Sequence, residues 1–124
     1  MKGSAVVILD DTNRILLLKR AKICYWMPGK WGLPGGKVEK GETATEAAIR
    51  ETREETQLRV DDLTPIEEHS NSQVDIFYAR RYTGTVEIDF EHDDFAWVSR
   101  DDVKNYDTIP YLEENFDWVL QNER

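Results

Sequence analysis

The sequence contains a single cysteine and no long apolar segment, and both absences narrow the kinds of protein it encodes. Because Cys24 has no second cysteine in the chain, an intrachain disulfide is excluded. The opening MKGSAVVILDD lacks the apolar stretch and cleavage site of a secretory signal. No run approaches the roughly 20 apolar residues that span a bilayer, and internal repeats are missing. We therefore expect one cytoplasmic domain over residues 1–124, without a membrane partner.

Basic side chains are also fewer than acidic ones. The chain has 16 Lys and Arg against 25 Asp and Glu, which gives a formal net charge of -9. Such an acidic protein is a poor ligand for the phosphates of nucleic acids or anionic membranes, so neither is expected as a partner. Residues 1–41 carry more basic than acidic side chains, whereas residues 84–124 show the reverse. A small anionic ligand should therefore meet the first half of the chain.

Apolar periodicity predicts a mixed α/β protein. The predicted strands cover residues 4–9, 15–19, 31–33, 58–69, 73–82, 85–90 and 95–98. Turn residues between the first two strands favour a hairpin. Helical spacing near the end of the chain predicts a terminal amphipathic helix with apolar residues Ile109, Leu112, Phe116, Val119 and Leu120. The order of these elements suggests an α/β/α sandwich built on a mixed β-sheet.

An earlier helix is predicted to begin after Thr43, which with Glu46 makes a capping box, and to end near Thr56. At about 100° per residue, four residues of this helix lie in one narrow stripe along its surface: Ala44, Ala48, Glu51 and Glu55. Glu54 lies beside this stripe. Small alanines let a helix approach a sheet closely, so the carboxylates on the same stripe should point inward.

Inward carboxylates require a partner. An ionised carboxylate taken out of water costs several kcal/mol unless it is paired or bound to a metal. A hard divalent cation would remove that cost, and an all-oxygen ligand set selects Mg²⁺, Mn²⁺ or Ca²⁺ over zinc. The spacing alone leaves open the alternative of a charged helix face exposed to water.

Residues 36–58, GKVEKGETATEAAIRETREETQL, resemble the Nudix box, Gly-x5-Glu-x7-Arg-Glu-U-x-Glu-Glu-x-Gly-U, where U is apolar. The matching positions are Gly36, Glu42, Arg50, Glu51, Glu54, Glu55 and Leu58, with Thr52 at the first U. The preceding WGLPGGKVE is similar to the usual family lead-in. The chain is therefore identified as a small, single-domain, MutT-like member of the Nudix hydrolase family, with the Nudix-type sandwich fold.

This resemblance implies a divalent-metal-dependent hydrolase that cleaves a pyrophosphate bond by attack of water on phosphorus. The substrate would be a nucleoside diphosphate linked to another group, and the cofactor Mg²⁺, with Mn²⁺ as the alternative. The implied metal ligands are Glu51, Glu54 and Glu55, with the carbonyl of Gly35. The implied catalytic residues add Arg50, which would orient the glutamates, and Glu42, which would pair with Arg50 or transfer a proton.

Two further sets of residues complete the expected site. The general base would be a carboxylate on a later loop, one of Glu91, Asp93 or Asp94. Expected substrate contacts are Lys37 and Arg20 on phosphate, Gly36 in the box, and Tyr78 on the base, with Tyr25, Trp26 and Phe77 as other stacking candidates. His69, His92 and Cys24 receive no role. Gln57 departs from the box glycine and should cost up to roughly 1 kcal/mol if the helix ends left-handed.

The leading hypothesis is a pyrophosphohydrolase of (deoxy)nucleoside triphosphates, acting as a monomer or homodimer on a small-molecule nucleotide. ADP-ribose, nucleotide sugars and dinucleoside polyphosphates remain alternative substrates. A different class, a non-catalytic nucleotide-sensing domain, would be expected to have lost one of Glu51, Glu54 or Glu55. A purely structural acidic domain would show no change in stability with Mg²⁺ or Mn²⁺.

Overall fold

The computed structural model describes residues 2–122, which form nine strands and two α-helices within that range. The strands are β1 Gly3–Ile8, β2 Ile15–Arg20, β3 Trp31–Gly32, β4 Gly35–Lys37, β5 Arg59–Asp61, β6 Thr64–Pro65, β7 Val74–Ala79, β8 Arg81–Thr83 and β9 His92–Val98. The helices are α1 Ala44–Thr56 and α2 Leu112–Asn122, with single 3₁₀ turns at Glu67–His69 and Val103–Asn105. Neither α-helix within residues 2–122 has the length and apolar character needed to cross a membrane.

The strands make a mixed arrangement, as predicted. One sheet has the order β4-β1-β7-β6, in which β1 runs parallel to β7 and antiparallel to β4. A second, antiparallel sheet has the order β3-β2-β9, and β5 pairs with β8. The buried residues alternate along β1 and β2 between two clusters, one packed on α1 and the other on α2. Because alternate residues of a strand face opposite sides, the two helices cover opposite faces, and the α/β/α sandwich is confirmed.

The predicted hairpin between the first two strands is wrong. Among residues 2–122, one isolated bridge joins Leu9, the residue after β1, to Ile15, while β1 and β2 belong to different sheets. The segments 6–9 and 15–18 are 0% exposed. Strands buried on both faces are typical of sheet interiors, where long-range partners compete with the neighbour in sequence. Here β1 pairs with β4 and β7, and β2 pairs with β3 and β9.

Other element boundaries also differ from the prediction. Residues 85–90, all of which the structure describes, form no strand, and the Glu87 N–H donates instead to the Thr56 carbonyl at the end of α1 (2.9 Å). Apolar side chains in this segment still pack on the α1-side cluster, which explains their alternation. The predicted strands 58–69 and 73–82 each divide in two. Leu120 is 38% exposed and lies outside the buried face of α2.

The capping box of α1 is confirmed. Thr43 accepts a hydrogen bond from the Glu46 N–H (3.1 Å), and the Glu46 carboxylate accepts one from the Thr43 N–H (2.8 Å). At the other end, Gln57 adopts a left-handed conformation with φ 65°, and its N–H donates to the Arg53 carbonyl. The helix therefore ends in the left-handed conformation that suits the glycine of the box pattern. Gln57 adopts this conformation although residues with a Cβ disfavour it.

Replacing Gln57 with Gly should increase the free energy of unfolding by up to about 1 kcal/mol, because glycine adopts φ near 65° without steric strain. Urea unfolding measured by circular dichroism would show this as a higher midpoint with an unchanged slope. Gln57→Ala is the matched control, since alanine keeps the Cβ and should show no comparable gain. Equal stability of the glycine variant and the parent protein would contradict strain at this helix end.

Candidate functional site

The inward face of α1 brings two carboxylates against the Gly35–Gly36 segment of β4. Glu55 is 5% exposed, and its Oε1 accepts a hydrogen bond from the Gly35 N–H at 3.0 Å. The Glu51 side chain is 17% exposed, whereas that of Glu54 is 58% exposed. Two of the three predicted ligands thus lie on the buried side of the helix, and the third lies at its open edge.

Arg50 connects the acidic residues of the box. Its guanidinium donates to Glu42 Oε2 at 2.7 Å, to Glu51 Oε1 at 2.6 Å and to Glu54 Oε1 at 3.1 Å. It also donates to the Lys37 carbonyl at 2.9 Å, which ties the helix to the end of β4. The hydrogen bond from Arg50 lowers the pKa of Glu42. One cation therefore fixes three carboxylates that would otherwise repel one another.

Burial has a strong effect on the two inner carboxyl groups. Desolvation raises the pKa of Glu55 to about 9, opposed by the Gly35 N–H and reinforced by the charges of Glu51, Asp89 and Glu91. Desolvation also raises the pKa of Glu51 to about 7, opposed by Arg50 and reinforced by Glu54. Without another cation, both groups hold protons at pH values where an exposed glutamate is ionised.

The donor set fits a hard divalent cation. The side chains of Glu51, Glu54 and Glu55 all present oxygen, and the buried Glu55 has a backbone N–H as its described partner where an ionised carboxylate would require a cation. Within residues 2–122, no three acidic, histidine or cysteine side chains already converge on a single ion position. Glu51 and Glu54 instead point at Arg50. Binding a cation would therefore require these two carboxylates to turn from Arg50 toward the ion.

The two glycines of β4 allow the helix to approach this closely. A Cβ built at Gly36 would lie 2.5 Å from Cδ of Glu51 and would overlap its Oε2. A Cβ at Gly35 would lie 2.7 Å from Cα of Ala5 on the neighbouring strand. Real Cβ atoms do not make such contacts. A larger residue at Gly36 would displace the Glu51 side chain, and one at Gly35 would push against the backbone of β1.

We expect Gly36→Ala to lower kcat at least about tenfold, because the added methyl group must displace the Glu51 carboxylate. The overlap should also reduce the free energy of unfolding by about 1–3 kcal/mol. Steady-state kinetics and urea unfolding would measure the two effects separately. Gly29→Ala is the control: its Cβ meets nothing within 4 Å, and its φ of 78° should affect stability alone. Full activity of Gly36→Ala would contradict the close packing.

A cavity of about 900 Å³ opens beside the two glycines, between the first sheet and α2. Its lining includes Arg20, Trp26, Gly36, Ile76, Tyr111 and Asn115. The Arg20 guanidinium lies 5.2 Å from the centre of the Trp26 ring and donates to the Trp26 carbonyl at 2.6 Å. Trp26 is 51% exposed and Tyr111 72% exposed, so the described lining includes two accessible aromatic rings. The cavity is large enough for a nucleoside.

Other expected substrate contacts lie elsewhere. Tyr78 is absent from the described cavity lining and packs on Trp118, with ring centres 6.2 Å apart. Phe77 is 5% exposed in the α1-side cluster, so neither residue is placed to stack on a base in this cavity. Lys37 is exposed on β4, one residue beyond Gly36. Tyr25 is fully exposed and also lies outside the described lining.

Sequence reasoning missed Asn115 and Tyr111 at this cavity. Asn115 is 4% exposed, and its Oδ1 has no hydrogen-bond partner among the described residues. A signal was available, because Asn115 lies three residues after Leu112 and four before Val119 and so occupies the buried face of the predicted helix. A polar residue at such a position requires a partner.

The acidic loop before β9 is the third part of the site. Burial raises the pKa of Glu55 most, and the negative charges of Asp89 and Glu91 raise it further. Asp93 and Asp94 belong to β9 and are exposed, and the Asp94 carboxylate accepts a hydrogen bond from the Phe95 N–H at 2.8 Å. Among the three expected candidates for the general base, Glu91 is therefore the one whose charge contributes to the raised pKa of Glu55.

The chain is similar in sequence to known proteins. The NUDIX domain family description matches residues 1–119. The chain is 32% identical over 117 residues to the nucleoside triphosphatase NudI of Klebsiella pneumoniae (strain 342), covering 81% of this chain and 83% of that protein. It is 36% identical over 101 residues to the Homo sapiens 8-oxo-dGDP phosphatase NUDT18, covering 76% of this chain and 31% of that protein. Among three curated relatives, including NUDT18, this chain spans between 21% and 34% of their lengths.

Solved structures of other proteins have a similar fold. The MutT protein from Methanosarcina mazei Go1 aligns with a TM-score of 0.78 and 25% identity, covering 100% of this chain and 96% of that chain. A MutT NUDIX hydrolase from Burkholderia pseudomallei aligns with a TM-score of 0.71 and 26% identity, covering 98% and 96%. The fold and site thus define a small α/β sandwich protein with an oxygen-rich acidic site. The chain belongs to the Nudix family, and its structural neighbours make it MutT-like.

Proposed function

We propose that the chain hydrolyses (deoxy)nucleoside triphosphates in a divalent-metal-dependent reaction that breaks a pyrophosphate bond. The observation that carries this proposal is the contact of the buried Glu51 and Glu55 with two glycines that also line a nucleoside-sized cavity. A base and sugar in the cavity would place their phosphates at the carboxylates. Similarity to a nucleoside triphosphatase over four-fifths of both chains supports the same substrate class.

In this proposal, Glu51, Glu54, Glu55 and the Gly35 carbonyl hold the metal. Mg²⁺ is the expected ion, with Mn²⁺ as the alternative. When bound, the ion neutralises phosphate charge and lowers the pKa of water. Arg50, joined to Glu42 by a 2.7 Å hydrogen bond, holds Glu51 and Glu54 beside the site, and these two carboxylates would turn from Arg50 toward the ion when it binds.

Other side chains would bind the substrate phosphates and accept the proton of the attacking water. Arg20, at the cavity, and Lys37, beyond Gly36, supply positive charge for the substrate phosphates. Glu91 is the carboxylate that we assign as general base, since its charge acts on Glu55. The attacking water gives its proton to Glu91 while its oxygen bonds to phosphorus. The bond from phosphorus to the bridging oxygen breaks, and the leaving phosphate takes the electron pair.

The cavity also indicates how a base would be held. Trp26 and Tyr111 offer accessible rings for stacking, and the unpartnered Oδ1 of Asn115 would accept a hydrogen bond from an N–H group on the base edge.

Four further expectations stay predictions: a cytoplasmic location, a single domain over residues 1–124, the lack of a nucleic-acid partner, and a monomeric or homodimeric state.

The test is release of phosphate or pyrophosphate from canonical and oxidised (d)NTPs, ADP-ribose, nucleotide sugars and dinucleoside polyphosphates, with Mg²⁺, with Mn²⁺ and with EDTA. We expect turnover of nucleoside triphosphates that requires the metal. Turnover restricted to another group in the panel would replace the substrate class. No turnover in any group, with a nucleotide still raising the melting temperature, would favour the sensing domain.

A further inference from the structure

Two oppositely charged stretches of the chain meet on one surface. The basic stretch, residues 12–38, contains no acidic side chain, and the acidic stretch, residues 82–99, contains no Lys or Arg. Strand β2 of the basic stretch pairs with β9 of the acidic one. Beyond the end of β2, the loop 21–30 contacts the segment before β9, because the Cys24 thiol donates a hydrogen bond to the Glu91 carbonyl at 3.2 Å. The loop and this segment are therefore neighbours in the folded chain.

Large apolar side chains flank this contact and are exposed to solvent. Ile23 and Tyr25, on either side of Cys24, are 76% and 103% exposed, and Phe90, next to Glu91, is 79% exposed. At roughly 200 Å² for an aromatic side chain, the three residues expose on the order of 500 Å². An apolar area of this size is at the upper end of what monomeric proteins expose, and such patches often form interaction sites.

The loop is closed by its own backbone. The Arg20 N–H donates to the Lys30 carbonyl and the Gly29 N–H donates to the Arg20 carbonyl, both at 2.8 Å. A loop closed in this way loses little conformational entropy when a partner binds. Trp26 lines the cavity and is left to the substrate, whereas Tyr25 lies outside the described lining. The exposed ring of Tyr25 is therefore available to a different partner.

The charges of the two stretches do not pair within the chain. Among the residues that the structure describes, no ion pair joins the basic stretch to the acidic one. Lys22 and Asp93 are both exposed and have no described ion pair. If the opposite charges served only to pair β2 with β9, ion pairs between the two strands would be expected. Adjacent strips of opposite charge are instead self-complementary, because a two-fold axis along their boundary lays each strip on the opposite strip of a second copy.

We propose that this surface, formed by the loop 21–30 and the segment 89–94, is the interface of a homodimer in which the basic loop of each copy lies on the acidic segment of the other. The three exposed apolar residues form its centre, and Lys22 of each copy pairs with Asp93 of the other copy at its rim. The net charge of -9 on each copy opposes association. Salt screens that repulsion beyond about 8 Å but weakens direct contacts much less. The inference is independent of the proposed hydrolase function.

The experiment is a charge exchange followed by sedimentation velocity. At about 100 µM, the parent protein should sediment at twice its chain mass of 14.5 kDa. Lys22→Glu and Asp93→Lys each bring like charges together in both contacts, so each should raise the dimer Kd at least about tenfold. An equal mixture of the two variants should restore the dimer, because both contacts of the mixed dimer join opposite charges. Lys104→Glu, an exposed change of the same charge on the second 3₁₀ turn, is the control and should leave the dimer unchanged.

A parent protein that stays monomeric at this concentration would overturn the inference, and the surface would then face another partner or solvent. A dimer that persists in both variants, or a mixture of the variants that stays monomeric, would overturn it as well. If circular dichroism shows that either variant is unfolded, Tyr25→Ser removes an exposed ring from the centre of the interface and must raise the dimer Kd by a similar factor. None of these measurements uses activity, so failure of the proposed hydrolase function is detected separately.

Discussion

Replacing Glu54 with Gln should reduce kcat for the nucleotide substrate by about 10³-fold or more, since several kcal/mol of charge stabilisation by the bound ion would be lost. The same change should alter the free energy of unfolding by less than about 0.5 kcal/mol, because the side chain lies at the surface. Its described partner is Arg50, at 3.1 Å, and Arg50 keeps Glu42 and Glu51. Steady-state kinetics over a range of Mg²⁺ concentrations, with urea unfolding, would measure both quantities.

Glu68→Gln is the matched control for Glu54→Gln. Glu68 is an equally acidic, exposed residue of the first 3₁₀ turn and lies outside the site, so its variant should keep parental kinetics. If Glu54→Gln and Glu68→Gln were both fully active, Glu54 would not hold the ion, and the site would have to be built from the two inner carboxylates alone.

The largest expected effect on stability concerns Glu55 and pH. Its folded pKa of about 9 exceeds the ordinary 4.5, so the folded protein binds a proton that the unfolded chain has released. That contribution is complete below the unfolded pKa and disappears as pH rises through the folded pKa. In metal-free buffer, the parent protein should therefore lose about 4 kcal/mol more than Glu55→Gln between pH 5 and pH 8.

Urea unfolding at a series of pH values in EDTA would measure this difference, with Glu55→Gln as the control that keeps an acceptor for the Gly35 N–H. Glu51, with a pKa raised to about 7, should add to the loss in the same direction. Saturating Mg²⁺ should stabilise the parent more at pH 8 than at pH 5, because the ion binds the deprotonated groups. Parallel pH profiles for parent and variant would show that Glu55 ionises without difficulty.

Local rules predicted the elements that depend on neighbouring residues. The capping box at Thr43 and Glu46 fixed the start of α1, and the spacing of Glu51 and Glu55 correctly put both on its inward face. Both rely on contacts three or four residues apart, which a helix enforces wherever it lies. The strand pattern predicted less. The hairpin prediction was wrong, because the sequence of a strand buried on both faces does not identify the strands with which it pairs.

The substrate side of the site was harder to anticipate. Arg20 and Trp26 were expected contacts that do line the cavity, whereas Tyr78 packs on Trp118. Trp26 and Tyr78 each follow another aromatic residue, Tyr25 and Phe77, and sequence alone could not tell them apart. Their difference is set by which strand or loop faces α2, a long-range property. Asn115 was the exception, since a polar residue on an apolar helix face was visible in the periodicity.

The sequence by itself determined the family pattern, the helix that carries the carboxylates and the excess of acid around it, because these follow from composition and from spacings within one turn of helix. Tertiary structure decided the chemical state of the site. The packing of α1 on Gly35 and Gly36 desolvates Glu55, and the charges of Asp89 and Glu91, distant in the sequence, contribute further to its raised pKa. Burial and long-range charge depend on the folded arrangement, so no local spacing specifies them.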